Sequence, residues 1–166
     1  MTIKPAPACC CLMLTLSFSI LHAQGASPAD KTFVSKVSQG GAYEVEASRV
    51  AEMKAGAQDV KDQAATEVHD HTLVNRELQK VASAKGIQFP TALNATFQQR
   101  LDKLKATPAD QFDKAYIADM EDIHDGDEKL FAQEAKEGGS PEFKAFAHQT
   151  DLIVKRHIGS LHGTDH

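Results

Sequence analysis

Between residues 28 and 162 apolar side chains recur every three or four positions, and the breaks in that rhythm are prolines and glycines. Such spacing lays one apolar face along an α-helix, and no segment alternates with the period of two that a strand requires. Alanine, lysine, glutamate and glutamine dominate these stretches and all favour helix. The chain is therefore expected to be all-α, built from long helices whose ends can be read from the punctuation.

Pro28 and Asp30 open a first helix, with Asp30 placed as N-cap and an apolar row of Phe33, Val37, Gly40 or Gly41, Ser48 and Ala51. It ends near Gly56. A second helix runs from about Ala57 to Lys85, where Gly86 suits a left-handed cap and Pro90 enforces the stop. A shorter helix from Thr91 to Lys105 forms a connection. Thr107 and Pro108 then open a third long helix as cap and first residue, and it lasts to about Glu137. After "GGSP" at 138–141 a fourth takes Ser140 as cap and Pro141 as first residue, reaching about His162. Helices of ~25 residues are about 37 Å long. Two short links and one long link carrying a helix predict a four-helix bundle with one long crossover, the ferritin-like arrangement. The bundle domain is placed at 30–162, after a linker at 24–29 and before a frayed tail at 163–166.

The first 23 residues differ from the rest. One lysine, no acid, an apolar run from Cys9 to Leu21 and a small residue at Ala23 make the pattern of a secretory signal peptide. The run is short of the ~20 residues that span a bilayer, so a signal anchor is the weaker alternative. All three cysteines lie here. The mature chain then has no thiolate for metal or catalysis, and its stability rests on packing. Losing the one lysine leaves 17 basic against 23 acidic residues, a net −6 in place of −5. With no basic block, this balance argues against nucleic acid or anionic lipid as partners. A periplasmic or secreted protein is expected, with outer-membrane association as the alternative; protein partners and oligomeric state are not readable.

Each long helix carries an ionisable residue in its apolar row. The second has Glu67 and His71, four apart and on one face, between Ala64 and Val74. His69 and Asp70 point away from that face and are expected to be solvated. The first helix contributes Glu44, the third His124 with Glu121 one turn before it, and the fourth His157. Antiparallel packing brings Glu44, His71 and His124 to one level, and His157 lies about a turn beyond. A buried polar group without a partner costs roughly 1–3 kcal/mol, so these must satisfy one another or bind something. Three imidazoles and a carboxylate suit zinc, iron, copper or nickel. His71, His124, His157 and Glu44 are the expected ligands, with Glu121 and Glu67 as further ligands or as acceptors that orient the imidazoles. The alternative is a structural or interaction module in which the same network only sets helix register. "GGAYEVE" lacks the strand that precedes a phosphate loop, and "DIHDGDE" lacks calcium-loop spacing.

"DKTFVSKVSQGGAYEVEASRVA", "VHDHTLVNREL", "FDKAYIADMEDIHDGDEKLF" and "FAHQTDLIVKRHIGSL" together resemble the domain-of-unknown-function family 4142, exported bacterial proteins often labelled predicted outer-membrane proteins. The resemblance covers about residues 30 to 162. The family pattern falls on Glu44, Asp70, His71, Asn75, Tyr116, Met120, His124 and His157, although the proline usual before its last histidine has no counterpart here. It implies a ferritin-like four-helix bundle and supplies no activity. The glutamate set of a carboxylate-bridged di-iron site is incomplete, because Ile153 and Val154 stand where its last glutamate belongs. A mononuclear, histidine-rich site fits the residues better.

Overall fold

A computed structural model describes residues 26–163. The proposed signal segment, its cysteines and the last three residues lie outside them. Five helices follow in order: α1 Pro28–Lys54, α2 Gln58–Ala84, α3 Ala95–Ala106, α4 Ala109–Glu137 and α5 Pro141–Leu161. Among the described residues there is no strand, and no helix is long and apolar enough to cross a membrane.

The helices pair as two hairpins, α1 with α2 and α4 with α5, and α1 also packs on α4 and α2 on α5. Each of these four pairs is antiparallel. Ser48 meets Tyr116 while Phe33 meets Phe131, and Asp70 meets His157 while Lys85 meets Glu142. Helices α2 and α4 therefore run the same way, and the chain must return the length of the bundle between them. The crossover makes that journey. Ile87 and Phe89 lie on the apolar cluster around Phe33, whereas Leu93, Phe97, Leu101 and Leu104 belong to the cluster around Tyr43 at the other end.

Side chains fasten the crossover to α1 and α4. Gln39 donates to the Ala92 carbonyl at 3.0 Å and accepts from the Asn94 N–H at 2.6 Å. Arg100 reaches the Asp119 carboxylate at 2.6 Å and the Asp122 carboxylate at 3.0 Å, and Tyr43 donates to Asp119 beneath it.

Three helix starts differ from the sequence reading. Ser27, not Asp30, caps α1: Pro28 takes the first helical position, so the cap must precede it, and Asp30 closes the reciprocal half of a capping box. The Asp30 carboxylate also accepts from the Gly139 N–H at 3.0 Å, tying α1 to the α4–α5 turn. Helix α3 starts at Ala95 under an Asn94 cap, four residues later than Thr91 suggested. Thr107 closes α3, its hydroxyl donating back to the Lys103 carbonyl at 3.2 Å, and Pro108 occupies the cap position of α4. Gly86 holds the left-handed conformation expected of it, φ 69°. Gly41 meets the side chain of Asn75 so closely that any Cβ there would collide with it, which is how α1 and α2 approach each other.

A candidate metal centre

Two separate apolar clusters fill the ends of the bundle, and a polar layer lies between them. Glu44 from α1, Glu67 and His71 from α2, His124 from α4 and His157 from α5 are each at most 2% exposed. The rows that bury Phe33, Val74 and Phe131 carry these residues inward as well, because each sits on the same helical face as its apolar neighbours.

The three imidazoles converge. Ring centroids stand 5.4 Å apart for His71 and His124, 5.2 Å for His71 and His157, and 5.3 Å for His124 and His157. Each ring turns one nitrogen outward to a fixed acceptor. His124 Nδ1 lies 2.7 Å from the Met120 carbonyl, a contact only an N–H can make favourably. His157 Nε2 is 2.8 Å from Asp70 Oδ2, and His71 Nδ1 is 3.0 Å from Glu44 Oε2. The outward partners thereby set the tautomers and leave His71 Nε2, His124 Nε2 and His157 Nδ1 facing inward.

At the point where these nitrogens meet stands one carboxylate oxygen. Glu67 Oε2 is 3.1 Å from His71 Nε2, 3.3 Å from His124 Nε2 and 2.8 Å from His157 Nδ1. Gln63 holds the other oxygen at 2.8 Å. Glu67 Oε2 and His71 Nε2 are fully buried and face each other at 3.1 Å. One ligand atom from each of Glu67, His71, His124 and His157 falls within 4.8 Å of all the others. Such a group can hold a metal ion.

The electrostatics show what the layer does with protons alone. Burial by itself would neutralise every group. It pushes the Glu67 carboxyl up, but His124, His157 and His71 outweigh it and hold that carboxyl well below its usual range. Burial likewise opposes charge on His71, and Glu44 and Glu67 overcome it, raising the imidazole well above its usual value. His124 is raised to about 9 by Glu67 and Glu44 against its burial. Glu44 ends below the ordinary carboxyl value, His71 outweighing desolvation. Two carboxylates, Glu44 and Glu67, thus face two imidazoles, His71 and His124, and each side favours the charged form of the other.

Of the residues singled out from sequence, Glu67, His71, His124 and His157 come together, and Glu44 stands behind His71. Glu121 does not join them. Its side chain is 40% exposed and its nearest partner is His162, 3.9 Å away at the surface. Three residues carry a helix through about 300°, so Glu121 lies to one side of His124, facing out. His69 is exposed as expected, whereas Asp70 is half-buried and bonded to His157 and Arg156. Its partners lie on α5, so nothing in the α2 spacing identifies them. Asp127 was also missed, although it lies three residues after His124 on the inward side and is 9% exposed. Tyr116 shares a 2.8 Å hydrogen bond with Ser48 beside the layer.

Fold and site together define an all-α bundle with a buried three-histidine, one-glutamate centre. The chain belongs to the family described as Domain of unknown function (DUF4142), whose model matches residues 18–162. Among solved structures it is similar to a DUF305 fragment from Deinococcus radiodurans, at 15% identity and a TM-score of 0.73, covering 84% of this chain and 96% of that one. That likeness bears on the fold. A search of curated proteins found no match.

Proposed function

We propose that this protein is an exported metal-binding bundle that holds one first-row divalent ion, zinc foremost, through Glu67, His71, His124 and His157. The observation that carries the reading is the convergence of Glu67, His71, His124 and His157, all buried, with one ligand atom from each within 4.8 Å of the others. Burying this many ionisable groups together is costly, and a cation bound among them can offset that cost. The spacing supports the same ion class. Ligands 2.0–2.1 Å from a tetrahedral ion stand about 3.3–3.4 Å from one another, and His124 Nε2 and His157 Nδ1 are 3.2 Å apart.

In this reading Glu67, expected from sequence as a further ligand or an orienting acceptor, is the carboxylate ligand, and Glu44, expected as a ligand, orients His71. Met120, Asp70 and Glu44 fix the three rings, and the ion takes over from protons in balancing the carboxylates. Four protein ligands close a tetrahedral sphere, which suits holding or carrying metal better than catalysis at an open position. Export to the periplasm follows from the proposed signal segment at 1–23. The competing reading, a polar network that only sets helix packing, has the 3.0 Å Glu44–His71 pairing in its favour. Elemental analysis of the mature protein, purified without affinity tag or chelator beside the His71→Ala/His124→Ala double variant, separates the two. Stoichiometric metal that disappears in the variant supports the centre; a metal-free wild type with a variant that merely melts lower supports the network.

A further inference from the structure

The cluster is sealed, so an ion has to cross a layer of side chains to reach it. One wall of the layer borders a surface pocket. One turn along α1 from Glu44 and one turn along α4 from His124 stand Gly40 and Asp127, face to face. A Cβ on Gly40 would lie 3.8 Å from both oxygens of the Asp127 carboxylate. At Gly41 the Asn75 side chain takes the space a Cβ would need, whereas at Gly40 a Cβ-sized space remains, bounded by Asp127 and by Ile123 at 3.9 Å. Outside it opens a pocket of about 310 Å³ between α1, α4 and the start of α3, with Gln39, Gly40, Phe97, Ile123, Asp127 and Leu130 among its walls.

Asp127 belongs to both sides of this wall. It lines the pocket and is 91% buried, and among the described residues it makes no hydrogen bond or ion pair. The charges it senses most after its own burial are Glu44, His71 and His124, members of the central layer. Glu44 in turn faces His71 at 3.0 Å and His124 at 3.7 Å. Asp127 thus stands between the pocket and the layer that holds Glu44 and Glu67. An uncompensated buried carboxylate is expensive unless a cation uses it.

We infer that Asp127 is the entry ligand of the centre: a divalent cation passes through the gap at Gly40, is held first by the Asp127 carboxylate, and moves past Glu44 to Glu67 and the three histidines. This rests on the metal reading above and adds the route to it. It needs Asp127 for the rate of loading and not for the affinity of the loaded site.

The test is cobalt(II) uptake by the metal-free full chain, followed by visible absorption in a stopped-flow instrument, with affinity measured separately by chelator competition. Asp127→Asn removes the charge at nearly constant shape, Gly40→Leu plugs the gap, and Asp127→Glu restores the carboxylate. At pH 8.5, above the value of about 8 to which the Asp127 carboxyl is pushed, loading of the first two is expected to slow by about tenfold or more, the scale on which a focused charge accelerates capture, with affinity unchanged and near-normal loading in Asp127→Glu. Wild-type loading rates in both Asp127→Asn and Gly40→Leu would overturn the route while leaving the centre intact. Equal losses of rate and affinity in Asp127→Asn would make Asp127 a resident ligand and overturn the entry role. A wild type that takes up no cobalt removes the centre, and the route with it.

Discussion

The apolar end around Phe33 and the polar layer around Glu67 are buried to the same degree, yet they are satisfied in different ways. Phe33 meets Phe131, Phe143 and Phe146 edge-on, with centroids 5.7 to 6.2 Å apart. Each ring there finds its whole environment in its neighbours. The polar layer is buried as deeply, but it crowds Glu44 and Glu67 against three imidazoles, with Glu67 Oε2 within 3.3 Å of a nitrogen on each ring. Depth alone does not separate a core from a site. The charge that its buried groups must balance among themselves does.

If that contrast is right, the two regions respond to different perturbations. Phe33→Ala should cost about 3–5 kcal/mol of stability in urea unfolding, while zinc affinity of the folded fraction stays near wild type. A large affinity loss there would mean that the regions are not separable. Asp70→Asn should do the opposite. Weakening the acceptor that orients a ligand histidine costs about 10–100-fold in metal affinity, and the partly exposed Asp70 should matter little to the metal-free fold. Calorimetric titration with zinc checks both halves.

The protons of the layer give a pH signature. His124 is raised to about 9 from an ordinary 6.5, so between those values the metal-free native state binds more protons than the unfolded chain. Its contribution to stability is complete below pH 6.5 and is lost as pH rises through 9. Metal competes for the same nitrogens, so the rise in Tm on adding zinc should grow from pH 6 to pH 8.5. A constant increment would show that the imidazoles are not the ligands.

Asp127 shows an effect of the same sign. Burial, then Glu44, push its carboxyl to about 8 from an ordinary 3.8. The native state holds that proton longer than the unfolded chain, and stability falls as pH climbs between the two values. Metal-free Asp127→Asn should therefore match wild type near pH 4 and exceed it at pH 8.5 in urea melts. The smallest effect belongs to Glu121→Gln, which should change stability by no more than about 0.5 kcal/mol and leave metal content unchanged. A measurable loss of metal would bring the surface glutamate back into the centre.

The helices were legible because Pro28, Gly86, Pro90 and Pro141 have narrow backbone tolerances that a linear reading can use. His71, His124, His157 and Glu67 were legible for a related reason: each breaks an apolar row at helical spacing, so its inward direction follows from its own helix. What failed depended on a neighbouring helix. Which glutamate stands nearer the imidazole nitrogens depends on how the helices pack: Glu67 Oε2 lies within 3.3 Å of a nitrogen on each of the three rings, whereas Glu44 lies 3.0 Å from His71 and 3.7 Å from His124. Asp70 looked solvated because α5, which carries His157 to it, is absent from the local pattern. Glu121 failed in the opposite sense, since a Glu-x-x-His spacing places two residues within reach of one face without deciding on which side of it the first will lie.

X-ray absorption at the zinc edge of the loaded, untagged protein tests the centre most directly. Three imidazoles and one carboxylate oxygen at about 2.0–2.1 Å, with the outer-shell scattering of three rings, are the expected result. A shell of six light atoms without imidazole scattering, or no stoichiometric zinc at all, would contradict the centre and leave the layer a packing device.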